Sequence, residues 1–158
     1  MDDKTTVRKG SLTSGCIAVI ECYQEIPCDV CELVCHKAAI KVGSPLTKVP
    51  IFDSKKCSGC GLCVVACPGL AIFLVDPNFS ENEAIITFPY EYLPLPKVGS
   101  IVNVVNRLGM VVGKGRVLEV RDAKKFDATR LISVAVSKQL AQEVRGIVRP
   151  KGDLNSEE

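Results

Sequence analysis

The sequence has no tryptophan, and three tyrosines and five phenylalanines bring its aromatic content to only 5%. Phe126 is the sole aromatic residue between Lys97 and Lys151. A nucleobase-stacking surface needs several aromatic faces, so that stretch is poorly equipped to be one. No apolar run approaches the ~18 residues of a membrane-spanning helix. The opening residues Met1-Asp2-Asp3-Lys4-Thr5-Thr6 are polar, which is not the pattern of a secretory leader. A cytoplasmic location is therefore expected, and there cysteines serve as metal ligands more readily than as disulfides. Histidine is scarce too. His36 stands alone, and is expected either to tune the surroundings of a metal site or simply to be exposed.

Cysteine is abundant. Of nine cysteines, seven lie from Cys28 to Cys67 and Cys22 just precedes them. Cys57-Ser-Gly-Cys60-Gly-Leu-Cys63-Val-Val-Ala-Cys67-Pro68 has the C-x2-C-x2-C-x3-C-P spacing of a bacterial-type iron–sulfur ferredoxin. The preceding segment repeats it: Cys28, Cys31 and Cys35 recur 32 positions later as Cys60, Cys63 and Cys67, and Ala39-Ile40 recurs as Ala71-Ile72. A repeat that preserves both thiol spacing and the apolar residues after it implies a duplicated unit. Short spacing puts three sulfurs on one curved loop, and Ser58, Gly59 and Gly61 are small enough to let amides approach an inorganic core. Tetrahedral zinc sites also use Cys-x2-Cys pairs, but the doubled array overspecifies two such sites.

The net charge of +2 conceals an asymmetry. From Lys97 to Lys151 there are 12 Lys/Arg against four Asp/Glu, a balance of +8, which leaves −6 for the remainder. Two modules would look like this. The expected divisions are a lead-in at 1–15, a cysteine-rich domain at 16–92, a basic β-rich module at 93–150 and a charged tail at 151–158. Strands are expected at 16–22, 39–42, 48–53, 71–75 and 84–88, with short helices at 32–39 and 62–66. Beyond a stiff Pro-rich connector at 93–96, short β runs are expected at 101–105, 110–112, 117–120 and 131–136. Turns should fall at 106–109 and 113–115. Ser137 should cap a helix reaching about Val144, followed by a last strand at 146–148. Strands this short and this closely spaced suggest a small barrel.

Two-cluster ferredoxins, which this array resembles, imply an α+β fold of two pseudo-twofold strand–loop–helix–strand units, here with an appended small β-barrel-like C-terminal module. In them the fourth cysteine of each run ligates the other cluster. Carried onto this sequence, Cys57, Cys60, Cys63 and Cys35 would hold one [4Fe–4S] cluster. Cys28, Cys31, Cys67 and one more thiolate would hold the other. The 32-residue offset puts Glu25 where Cys57 should have a counterpart. Cys22 is the expected ligand, on the view that the loop is enlarged by three residues, with Cys16 a small buried strand residue. The alternatives are that Cys16 replaces Cys22, or that the first site is [3Fe–4S].

The phrases Ile26-Pro27-Cys28-Asp29-Val30-Cys31-Glu32, Leu93-Pro94-Leu95-Pro96-Lys97-Val98-Gly99 and Val111-Val112-Gly113-Lys114-Gly115 resemble a particular family. It is the small ferredoxin-like subunit of FAD-dependent amino-acid or amine dehydrogenases of the proline, hydroxyproline, sarcosine or opine type. That resemblance implies an electron-transfer subunit, not catalytic on its own, in a hetero-oligomer with FAD-containing subunits that oxidise the C–N bond. The rival readings are a freestanding soluble ferredoxin and a nucleic-acid-binding protein with structural clusters. Leu62, Val64 and Val65 form an apolar face, more readily core packing of the short helix than a docking surface, and loop residues Lys124, Lys125 and Arg130 are candidates for docking an acidic partner.

Overall fold

The computed structural model describes residues 15–151. Most of the expected lead-in and all but Lys151 of the expected tail lie outside the described residues. Strand β1 (Ile17–Ile20), helix α1 (Val30–Leu33) and strand β2 (Ile40–Lys41) are followed by β3 (Ile51–Phe52), α2 (Leu62–Ala66) and β4 (Ile72–Asp76). Then come β5 (Glu83–Tyr90), β6 (Ile101–Val105), β7 (Val111–Arg121), β8 (Arg130–Ser137) and β9 (Gly146–Ile147). The described chain is mainly β. One antiparallel sheet runs β1-β4-β5-β8-β7-β6-β9, and β2 and β3 form a second, two-stranded one.

The first six elements repeat a strand–helix–strand unit, and the 32-residue offset extends through their backbone bonds. Ile20 pairs with Ile72 as Phe52 pairs with Ile40. The Glu21 amide donates to the Ala71 carbonyl and the Asp53 amide to the Ala39 carbonyl, both at 2.8 Å. Ala38 and Leu70, also 32 apart, share a left-handed conformation at φ 50° and 49°. These residues explain why the helices are short. Where a helix was expected over 32–39, α1 ends at Leu33. Ala38 reverses the chain, with its amide on the Cys35 carbonyl at 2.9 Å, so that Ala39 can enter β2. Two left-handed non-glycine residues each cost ~1–2 kcal/mol, and packing supplies it.

Strand β4 is buried on both sides. Phe73 and Val75 join Ile86, Phe88, Ile132, Val134 and Val117 in one core. Ile72 and Leu74 face the other way, toward Cys31, Cys63, Val64, Ile40, Phe126 and Leu131. Strand β5 pairs with β4 and, over eight registered positions, with β8. The sheet therefore crosses the boundary expected between residues 92 and 93. On the face toward the cysteine loops a buried Thr87–Ser133 hydroxyl pair is satisfied at 2.7 Å across that strand pairing.

The expected barrel is not closed by backbone pairing. The sheet ends at β1 and β9, and side chains bridge the two ends. Glu21, just after β1, accepts from Arg145, just before β9, at 2.7 Å and from Arg107 at 2.7 Å. Both guanidinium groups also lie over the Phe73 ring, at 5.2 and 5.8 Å. Two further expectations are corrected. Gly113 and Gly115 do not turn the chain but lie inside β7. A Cβ there would stand 2.7 Å from Leu140 Cδ1 or 2.9 Å from Val104 Cγ1, so packing, not turning, requires glycine. After Ser137 there is only a 3-10 turn, Lys138–Leu140, without a side-chain cap. The expected 106–109 turn is present, with the Gly109 amide on the Asn106 carbonyl at 3.0 Å.

Candidate metal centre

The cysteine loops surround two cavities. The larger, about 310 Å³, is lined by Cys57, Cys60 and Cys63 of the second repeat together with Cys35 of the first. His36, Lys37, Leu74 and Lys125 complete parts of its wall. The smaller, about 50 Å³, is lined by Cys22, Cys28 and Cys31 of the first repeat and Cys67 of the second, with Ile26 and Pro50. Each cavity thus receives three thiols from one repeat and one from the other. Cys16 lines neither; it is 2% exposed in the core beneath.

Local backbone explains the exchange. The turn at Ala38 and Leu70 aims the Ala39 amide at the Cys35 sulfur (3.3 Å) and the Ala71 amide at the Cys67 sulfur (3.4 Å). Such amide bonds orient a thiolate ligand and disperse its charge. On the second loop Gly59 and Gly61 have φ of 66° and 85°, open to glycine at no steric cost. Gly61 is also pressed from outside. A Cβ on it would lie 2.7 Å from Leu131 Cδ1 and 2.9 Å from Arg121 Nη2.

Burial pushes the Cys63 thiol up to about 12, with Cys60, Cys57 and Cys35 adding to the effect. Its repeat equivalent, Cys31, is pushed up to about 11, again chiefly by burial, which outweighs the opposing Glu32 amide. Bare thiolates are therefore disfavoured at both depths. A cationic inorganic core would ionise them, and its binding would release protons. Four thiols around a cavity of about 310 Å³ fit a polynuclear inorganic group.

The ligand shift at Cys22 has a different cause from the one expected. Ile20 to Cys28 and Phe52 to Cys60 are both eight residues, and their strands are in equivalent register. The loop is not enlarged. Within a loop of unchanged length, the thiol has moved from the place of Glu25 to that of Cys22. At the apolar candidate face the core-packing reading holds, and at the basic one a residue is already engaged. Val64 is fully buried and Leu62 and Val65 pack against the same core, while Arg130 is held by Asp122 at 3.3 Å. Arg121, Leu131 and Glu21 carried no local sequence signal, since each matters through a partner far away in the chain.

Residues 50–73 match the 4Fe-4S binding domain family. This match supports an iron–sulfur, ferredoxin-like protein. Over 132 residues the chain is 30% identical to a translation initiation factor RLI1 of Chaetomium thermophilum, which covers 78% of this chain and 21% of that protein. It is 30% identical over 111 residues to a translation initiation factor RLI1 of Saccharomyces cerevisiae, covering 66% and 18%. To Protein Pixie of Drosophila melanogaster it is 28% identical over 99 residues, covering 56% and 15%. The chain spans about a fifth of the length, or less, of these curated relatives. None of these three names is that of a flavin dehydrogenase subunit. No solved structure matches the chain. Among the described residues no helix is long and apolar enough to cross a membrane.

Proposed function

We propose that this chain is a cytoplasmic electron-transfer subunit that holds two [4Fe–4S] clusters and relays single electrons within a multisubunit FAD-dependent amino-acid or amine dehydrogenase. The observation that carries the electron-transfer part is the crosswise grouping of eight thiols around two cavities. Helices α1 and α2, which carry Cys31 and Cys63, pack together, and in this reading an electron passes between the two sites across that contact. The flavoprotein partner rests on the resemblance of the loop and C-terminal phrases. In this reading the FAD subunits break the C–N bond, and no side chain of this chain acts as acid, base or nucleophile.

Purification from the native host tests both parts. A visible iron–sulfur spectrum, about eight iron and eight sulfide per chain and a co-eluting flavoprotein are the expected results. About seven iron would indicate a three-iron first site. A stable monomer that never co-purifies with a flavoprotein would favour the freestanding ferredoxin instead.

A second reading draws on the names of the relatives, two of which are translation initiation factors. With the +8 balance from Lys97 to Lys151, it makes the clusters structural supports for a nucleic-acid-binding surface. Salt-sensitive retention of RNA by the purified protein, without reversible cluster reduction, would favour that reading.

A further inference from the structure

The two cavities have unlike rims. At the larger, Cys60 is exposed, and Lys37 and Lys125 form part of the wall. Lys125 comes from the 3-10 turn Lys124–Phe126, which β7 and β8 hold against the second cysteine loop. Its ammonium lies 5.4 Å from the Phe126 ring centre, and exposed Lys124 stands beside it. Of the carboxylates in these loops, Asp53 is engaged by Lys56 at 3.6 Å and Asp122 by Arg130 at 3.3 Å, while exposed Asp127 directly follows the turn. At the smaller cavity the rim is instead apolar, with Ile26 and Pro50 beside a single cation, Lys48. Tyr23 next to it is 79% exposed, and the acidic residues Glu25 and Asp29 stand on either side of Cys28 in the chain.

We infer that the Cys57–Cys63 site exchanges electrons with an acidic protein surface that docks on the lysine rim formed by Lys37, Lys124 and Lys125. This rests on the proposed electron-transfer function. The exposed Cys60 gives a cluster a short path to solvent, and a ring of cations around such a path raises the local concentration of anionic partners. The C-terminal strands thereby acquire a role. They carry the cations of Lys124–Phe126 to a site whose ligands all come from the first half of the chain.

The test uses the reduced, cluster-loaded full chain and two outer-sphere oxidants of opposite charge, hexacyanoferrate(III) and hexaamminecobalt(III). Each accepts one electron from a reduced cluster, and the rate is read from the visible absorbance by stopped flow. With hexacyanoferrate(III) at low ionic strength, the double variant K37E/K125E should be slower by about tenfold, and the difference should shrink as salt screens the rim. With hexaamminecobalt(III) the same variant should be faster. A control variant, K114E/K138E, changes net charge equally but lies about seven residues along β7 and β8 from the site, roughly 23 Å. It should change either rate less than about twofold. Equal slowing by both double variants would show net charge alone at work, and no effect from either would point to the apolar rim. Both outcomes overturn the inference. Clusters that cannot be reversibly reduced at all would instead defeat the electron-transfer reading beneath it.

Discussion

The two halves of the cysteine-rich region share a skeleton and differ in what covers them. Position by position, Cys31 and Cys63 are equally buried at 8%. The next position is Glu32 in the first repeat and Val64 in the second. The Glu32 carboxylate is exposed enough to clasp the Val42 and Gly43 amides at 2.7 and 3.0 Å, and those amides hold it below the ordinary carboxylate range. Val64, 0% exposed, is core. One position further, Leu33 is 73% exposed, whereas Val65 packs against the core. The cause is β7 and β8, which lay Phe126 and Leu131 over the second repeat and leave the first open. Duplication supplied two equivalent cradles. The C-terminal strands packed the helix of one of them into the core and gave its cavity a basic rim, and left the helix of the other partly exposed.

The largest effect expected from breaking this comparison comes from the crossed thiols. Cys35→Ser should abolish the cluster signal associated with Cys57, Cys60 and Cys63, although it lies in the other repeat. Cys67→Ser should abolish the signal of the first site. Each variant should retain about half the iron, measured by iron analysis with electron paramagnetic resonance of the reduced protein. Loss of the same signal in both variants would refute the exchange.

Next comes the displaced ligand. Cys22→Ser should cost the first site an iron or the whole cluster, while Cys16→Ser should leave the iron content unchanged. Because the loop length is conserved, C22S/E25C puts a thiol back in register with Cys57 and should restore iron. Failure of that rescue, with C22S depleted, would mean the first loop has a path of its own.

A smaller effect separates the covered repeat from the open one in stability. Gly61→Ala adds a Cβ at φ 85° against Leu131 and Arg121, and should destabilise by ~2–3 kcal/mol in denaturant unfolding. Gly43→Ala, at φ 75° but with open space around it, should cost only ~1 kcal/mol. Equal losses would show that the cover over Gly61 bears little on stability.

Last is the clasp between the sheet ends. Burial raises the Glu21 carboxyl, but Arg145 and Arg107 together outweigh it and hold the group below its ordinary value. A depressed carboxyl contributes stability that is present above the unfolded value of 4.5 and is lost as pH falls through its folded value. Glu21→Gln should therefore cost ~1–2 kcal/mol near pH 7, and the gap from the parent should close in acid. A pH-independent gap, read from unfolding curves at several pH values, would locate the contribution elsewhere.

Much of the site was legible because its information is local. Thiols at two- and three-residue gaps must share a loop, and a second copy 32 residues away implies a second loop of the same kind. The placement of α2 and β6 also followed from short-range pattern. The failures share a cause. The Gly113 and Gly115 region reads as a turn because glycine is equally at home in turns and beneath large neighbours, and nothing nearby names Leu140 or Val104. Residues 62, 64 and 65 could be read as helix core or as a docking face, and part of what decides for core, Phe126 and Leu131, arrives about 60 residues later. The barrel failed to close because the β1 and β9 edges meet through Glu21 and Arg145, a contact of side chains 124 residues apart.

The sequence alone determined that seven cysteines stand in two runs of like spacing, and with that the kind of chemistry they suit; the crossing of the two runs was implied by the resemblance to two-cluster ferredoxins. Those properties lie in spacing, and spacing survives in one dimension. Only the tertiary structure decided that Cys22 lines the first cavity and Cys16 does not. It alone showed the loop length to be unchanged, and made the two sites unlike in cover and charge. Burial and electrostatics are sums over neighbours, and here the deciding neighbours, Lys125, Leu131 and Arg145, arrive from the far end of the chain.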